Sequence, residues 1–273
     1  MRTAAITTLV IALVVITLQA TVGAFPVTLF AFPLNILVMI LWLVAIAYTY
    51  RNRTTSHIAQ FMLSRKATWL SLFIMAVIGV VLGLERKPSS DAWAVVIGIL
   101  FVLSHLTFVI LRGWRTKQSI RWRFTITHIG LWLALGAGFW GAPDREQLRI
   151  SVGDQYSNEA YSINGAPHRL PSDIRLEEFD LELSPNGTPT NYEAVVNVDG
   201  RSVSLRVNHP YNRTLSEKIY LVSYGNTPMG SRYVILEIVN EPWQWLSATG
   251  IVMLICGAVL LFIRGPQRKN SIK

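Results

Sequence analysis

The chain has 273 residues, 51% of them hydrophobic and 15% charged, with a formal net charge of +9, a mean hydropathy of +0.38 and a pI near 9.9. Its Lys and Arg blocks sit in short turns beside long apolar runs, so the positive charge reflects membrane topology and attraction to an inner leaflet rather than nucleic-acid binding. The single cysteine, Cys256, excludes an intrachain disulfide and thiol exchange by this protein alone, and it reads as a small buried hydrophobe.

Taken in chain order, six apolar runs are long enough to cross the ~30 Å hydrocarbon core as helices. They are Ala4 to Val22, Thr28 to Tyr48, Thr68 to Leu84, Ala92 to Leu111, Phe124 to Trp140 and Trp243 to Ile263. Met1 to Ala24 imitates a secretory signal, but its apolar core is longer than a signal needs and a second run follows at once, so it is read as a span. The linkers Arg51 to Lys66 and Arg112 to Arg123, with the two chain ends, hold 14 of the 25 basic residues and none of the 16 acidic ones. The positive-inside rule therefore places both termini in the cytoplasm and Gly141 to Pro242 outside. Trp140, Trp243 and Trp245 fall at the outer boundary, and Trp114 and Trp122 at the inner one, where amphipathic rings favour headgroup depth.

From Gln147 onward the period shortens to two. Leu148, Ile150 and Val152 alternate with Arg149 and Ser151, and two apolar runs flank Asp199-Gly200, a pair that accepts the positive φ of a tight hairpin. Further strands are expected over Leu176 to Leu183, Lys218 to Tyr224 and Tyr233 to Val239, enough for a small antiparallel sandwich or barrel. The fold class is thus a membrane α-helical bundle of six transmembrane helices with an inserted extracytoplasmic all-β domain. Its parts are a five-helix membrane region (1–141), the β-rich domain (142–242) and a sixth helix with a cytoplasmic tail (243–273).

Chemistry-bearing motifs are few. Gly136-Ala137-Gly138-Phe139-Trp140-Gly141 matches G-x-G-x-x-G but ends an apolar helix instead of joining a strand to one, so its glycines are read as small faces for helix packing. No G-x-S-x-G, P-loop or H-E-x-x-H occurs. His57 and His168 fall in polar segments and read as solvated. His105 and His128 interrupt apolar helices, about 10 Å and about 7 Å inside the inner boundary at ~1.5 Å per residue. Each is either a satisfied structural histidine or a ligand that offers a neutral nitrogen to iron, and the pair could share one depth.

Several runs resemble one known family. Thr127-His128-Ile129-Gly130, Gly136-Ala137-Gly138 and Leu148-Arg149-Ile150-Ser151-Val152-Gly153-Asp154 are similar to a helix-to-strand segment of ResB/CcsB proteins of the system II cytochrome c maturation pathway. Further landmarks follow in the family's order at Leu170-Pro171, Phe179-Asp180-Leu181, Ser184-Pro185-Asn186-Gly187-Thr188-Pro189, Val207-Asn208-His209-Pro210, Ile219-Tyr220 and Val239-Asn240-Glu241-Pro242-Trp243. Phe32-Pro33-Leu34-Asn35 looks like the variant with two additional N-terminal helices.

The resemblance implies a chain that helps move haem across a bacterial inner membrane and present it to apocytochrome c, with a CcsA/ResC-type partner that carries the tryptophan-rich W-x-W-D motif this chain lacks. It implies His128 as an axial ligand to haem iron and His209 as a less clearly functional match, while His105 has no counterpart. Haem would bring the vinyl groups and the apocytochrome the thiols, so the expected role is that of a non-catalytic subunit of a haem-attaching synthase. The outer domain's acidic excess would be available to basic surfaces. The rival reading is a membrane-anchored sensor or scaffold whose β domain binds an envelope ligand. A reporter fused after Lys273 should be active in the cytoplasm and one placed near Asn186 active outside; a cytoplasmic reading at Asn186 would overturn the topology.

Overall fold

A computed structural model gives the structure of the protein, and it describes residues 13, 16–84, 91–114, 120–163, 165–186, 189–226 and 231–264. The chain divides into two compact units, Met1–Pro143 with Trp245–Lys273, and Asp144–Gln244.

The first unit is helical: α1 (Leu34–Arg51), the short α2 (His57–Met62), α3 (Arg65–Leu84), α4 (Trp93–Gly113), α5 (Trp122–Gly141) and α6 (Gln244–Arg264). Among the described residues five helices, all but α2, are long and apolar enough to cross a membrane, rather than the six expected. The first expected span, Ala4 to Val22, lies largely outside the described residues, and of it Ile16 to Val22 is helical. The second begins at Leu34 and not at Thr28, because Pro33 occupies the N-cap and the preceding Val27–Phe30 forms a 3-10 turn. Proline lacks the N–H that a helix interior needs but tolerates a helix start.

Two serines set the next boundaries. Ser56 Oγ accepts from Ala59 N–H at 3.3 Å and Ser64 Oγ from Ala67 N–H at 3.3 Å, so the linker read as a basic loop carries α2, and α3 opens at Arg65. α4 is the centre of this unit, with 44% of its apolar window buried against 11% for α1, α3 and α6. The outer helices instead expose Leu37, Val44, Phe73, Val80, Val252 and Ile255, the surface a bilayer would solvate.

α5 and α6 approach at backbone distance. A Cβ on Gly130 would stand 2.7 Å from Leu254 N and 2.8 Å from Gly250 O, one on Gly250 would strike Ala134 N, and one on Gly257 would strike Thr127. These small residues let two helices gain dispersion contact where no hydrophobic drive exists between them. The glycines expected to do this, Gly136 and Gly138, do not: nothing lies within 4 Å of a Cβ on Gly138, and one on Gly136 meets only Trp132 of its own helix. Helix rotation explains the error. With Gly250 and Gly257 turned toward α5, Cys256 is displaced by about 100° and is exposed rather than buried.

The second unit is one antiparallel sheet of eight strands: β1 (Glu146–Val152), β2 (Ser157–Ser162), β3 (Pro167–Leu183), β4 (Pro189–Val198), β5 (Arg201–Arg206), β6 (Tyr211–Asn212), β7 (Glu217–Asn226) and β8 (Arg232–Asn240). The order β5-β4-β3-β2-β1-β8-β7-β6 makes every neighbour but one sequential, and β1 pairs with β8 from Glu146↔Asn240 to Val152↔Val234. The sheet curls until β5 approaches β6 and β7, so the domain is barrel-like and not a two-sheet sandwich.

Alternation sends Leu148, Ile150 and Val152 into a core with Ile174, Val196, Val198, Leu205, Ile219, Val234 and Leu236. Each fully buried side chain of this size contributes about 1.5 to 3 kcal/mol. Asp199 and Gly200 both adopt positive φ, 54° and 76°, in the β4–β5 turn, as the sequence pair predicts.

Arg213 closes the barrel. Its Nε and Nη2 fork onto Asp199 at 2.8 and 3.0 Å, its Nη1 donates to Glu217 Oε1 at 2.9 Å and its Nη2 also donates to Ser172 Oγ at 2.8 Å. One guanidinium thus ties the β4–β5 turn to β3 and to β7. The hydrogen bonds from Arg213, with lesser help from Ser172, hold the Asp199 carboxyl below the usual carboxylate range. For a lowered folded value, the stabilisation is fully present above the unfolded value of about 3.9 and is lost as pH falls through the folded one.

Arg213→Ala should therefore cost roughly 2 kcal/mol and flatten the acid limb of barrel stability, read as the far-UV β signal of the full chain during thermal unfolding at pH 7 and pH 3. In the membrane unit, Gly250→Val should lower the detergent melting midpoint by an overpacking cost of about 1 to 3 kcal/mol, while Gly138→Ala leaves it unchanged; equal effects would contradict the packing described.

Candidate functional site

Three side chains line one face of α5, with Arg121 at the N-cap below them. At 100° per residue, Phe124, His128 and Trp132 fall within about 80° of one another. The His128 ring is half-buried, and its Nδ1 donates to Phe124 O at 2.8 Å. A carbonyl can only accept, so Nδ1 carries the proton and the neutral ring keeps its lone pair on Nε2. The bond lies within the histidine's own helix, and the Phe124 ring stacks on the imidazole at 3.9 Å between centroids. Both contacts fix the ring plane, the arrangement that raises the basicity of a ligating histidine and sets its tautomer.

The face is itself held. A Cβ on Gly113 would meet the Phe124 ring, with Cε1 at 2.6 Å, so only glycine at the end of α4 admits that ring. Arg121 N–H and Thr125 Oγ1 both donate to Trp114 O, at 2.8 and 3.1 Å, joining the end of α4 to the start of α5. One turn beyond His128, Trp132 Nε1 donates to Thr107 Oγ1 on α4 at 2.9 Å. His128 therefore belongs to the α5 face that meets α4.

His105 serves a different face. Thr107, the contact for Trp132, is about 200° round α4 from it. His105 is buried, 6% exposed, and its Nδ1 donates to Met62 O at 2.8 Å, at the end of α2 where the helix supplies no N–H of its own. Phe108 and Arg112 share that side: Phe108 packs with Ile46 and Ala59, and Arg112 Nη1 donates to Leu63 O at 2.7 Å. His105 thus caps α2, and the structure does not bring it and His128 to a common face. His209 is exposed beside the β5–β6 turn, with Nδ1 donating to Val207 O at 3.1 Å. His168 pairs with Glu146 at 3.4 Å on the barrel, and His57 is exposed at the start of α2.

Among the described residues no group of three or more His, Cys, Asp and Glu could hold a metal ion. Haem asks for less. Its four ring nitrogens already hold the iron, and the protein would need to offer one further nitrogen, which His128 Nε2 could supply in the tautomer that the Phe124 bond sets. The barrel contributes a small cleft of about 130 Å³ between Glu146, His168, Arg213, Glu217 and Asn240. Arg213 and Glu217 are already bonded there to each other.

Sequence reasoning found His128 but not Arg121 or Phe124. The signal was available as the spacing i, i+3, i+7, an Arg and a Phe below an intramembrane histidine. Among curated proteins none matches the chain. The model of the ResB-like family does match, over residues 117–231. That stretch covers all of α5 and the barrel as far as the segment before β8, so the match includes His128.

Proposed function

We propose that the protein is a subunit of a cytochrome c maturation complex in a bacterial cytoplasmic membrane, and that it handles haem on the way to apocytochrome c. The observation that carries the reading is the His128 imidazole. Its Nδ1–H is bonded to the Phe124 carbonyl, its ring is stacked on Phe124, and it lies within the segment that matches the ResB-like family. An intramembrane ionisable side chain is costly, and one that is locked by its own helix with a lone pair left over is suited to bind.

In this reading His128 Nε2 ligates haem iron from one side, and a CcsA/ResC-type membrane partner supplies the opposite ligand. Both termini are cytoplasmic and the barrel lies on the outer side, where apocytochrome c would be met. The chain binds and orients. The vinyl groups belong to haem and the thiols to the apocytochrome, so thioether formation asks no nucleophile of this protein. His105 takes the structural part, as the cap of α2.

His128→Ala should remove haem from the purified complex, with loss of its imidazole-type Soret and α bands, and stop cytochrome c maturation in cells. External imidazole should partly restore both by filling the vacated position. His105→Ala should keep the haem spectrum and lower thermal stability instead. A full haem complement in His128→Ala would overturn the proposal and favour a sensor or scaffold anchored by its helices.

A further inference from the structure

At the N-cap below the α5 face that carries His128 stands a guanidinium, that of Arg121, for which no ion pair is seen among the described residues. Arg121 donates from Nη1 to Gly113 O at 3.2 Å, and its guanidinium lies over the Phe124 ring, 4.9 Å from the centroid. Both contacts orient the group and neither neutralises it. The membrane unit has only two acidic residues in its sequence, Glu85 and Asp91, both between α3 and α4. Asp91 precedes α4, whose 21 residues make a helix about 32 Å long, whereas Arg121 is bonded to Gly113 at that helix's other end. Seven ion pairs between described residues lie in the Asp144–Gln244 unit.

Two other arginines of this unit are held away from that face. Arg53 lies over Tyr50, and Arg112 caps Leu63 on the α2 side. Arg121 stands below the His128 face, seven residues and about 10 Å from His128 along the helix axis. The Phe124 ring touches both, with its centroid 3.9 Å from that of the His128 ring and 4.9 Å from Arg121 Cζ. The spacing along the axis is comparable to the distance from haem iron to the oxygens of its propionate side chains. A planar guanidinium placed over a ring can fork a carboxylate.

We infer that Arg121 binds a propionate of the haem ligated at His128, so that the acid edge of the macrocycle faces the α5 N-terminus and its vinyl edge faces away. The assignment rests on the haem reading of His128, and Arg121 is a positioning residue in it. A lipid phosphate would offer the same anionic oxygens, and the choice of probe separates the two sources.

The full chain, purified in detergent, is titrated with ferric protohaem and with its dimethyl ester, which keeps iron and vinyl groups but has no acid, and the Soret band is followed. Wild type should bind the acid about tenfold more tightly than the ester, equivalent to ~1.4 kcal/mol. Arg121→Gln should lose that tenfold for the acid, keep the ester affinity and keep the His128-type spectrum. Arg121→Lys should restore only part of the preference.

Equal loss for acid and ester in Arg121→Gln would mean a purely structural role through Gly113 and Phe124 and would overturn the assignment. Equal affinity of wild type for acid and ester would also overturn it and leave lipid as the partner, with the haem reading intact. Absence of any His128-dependent binding of either probe would defeat the haem reading and this inference together.

Discussion

The chain enters the barrel on β1 and leaves it on β8, and these two strands are hydrogen-bonded neighbours along seven register pairs. Much of the architecture depends on that pairing. Just outside it Arg145 pairs with Glu241 at 2.9 Å and Trp243 Nε1 donates to Asp144 Oδ2 at 2.7 Å, so both ends of the inserted segment are clamped within about one strand spacing. The membrane unit meets the same constraint in its own terms, since α5 and α6, the helices before and after the insertion, touch through Gly130, Gly250 and Gly257. A Val at any of these positions would ask two backbones to separate in a medium where dispersion contact is what holds helices together.

Several polar groups in the helical unit are matched to a main-chain carbonyl or a hydroxyl, whereas among the described residues Ser71 Oγ, Trp93 Nε1 and Trp140 Nε1 are buried without such a bond. Tyr50 OH donates to Leu111 O, Trp42 Nε1 to Ser104 Oγ, Arg112 to Leu63 O and Trp132 to Thr107. An unmade hydrogen bond in hydrocarbon costs several kcal/mol, so these pairings fix helix rotation more sharply than apolar contacts do. The two intramembrane histidines differ in where the accepting carbonyl lies. The His105 bond spans two helices and would break if they parted. The His128 bond is internal to α5 and needs no second helix.

Period and punctuation carried most of the fold in the sequence. Alternation over Leu148 to Val152 and the Asp199-Gly200 pair are local signals, and local structure obeys them. What escaped was non-local or rotational. Closure of the barrel depends on Arg213, whose four bonds reach β3, the β4–β5 turn and β7 across up to 41 residues, and no spacing rule announces such a partner set. Apolar runs are apolar all round in a membrane, so composition does not say which side of α6 faces α5; hence Cys256 was placed in the interior and Gly136 with Gly138 at an interface they do not make. The same blindness let His105 and His128 share a depth on paper while the helices turn them to different faces.

Charge on the barrel is more fully spent at home than its acidic excess implies. Glu193 is bonded to Ser204 and Arg206, Glu177 to Ser202, Asn197 and Arg175, Glu237 to Arg149 and Gln147, and Glu217 with Asp199 to Arg213. The Ser204 and Arg206 bonds hold the Glu193 carboxyl below its ordinary range, and those from Ser202 and Asn197 do the same for Glu177, so both stay ionised and committed. Pairs this exposed add little stability, but they cancel field at short range. A basic surface approaching the barrel would therefore meet arginine and glutamate interleaved. At those positions the acidic excess is already answered by side chains of the same barrel.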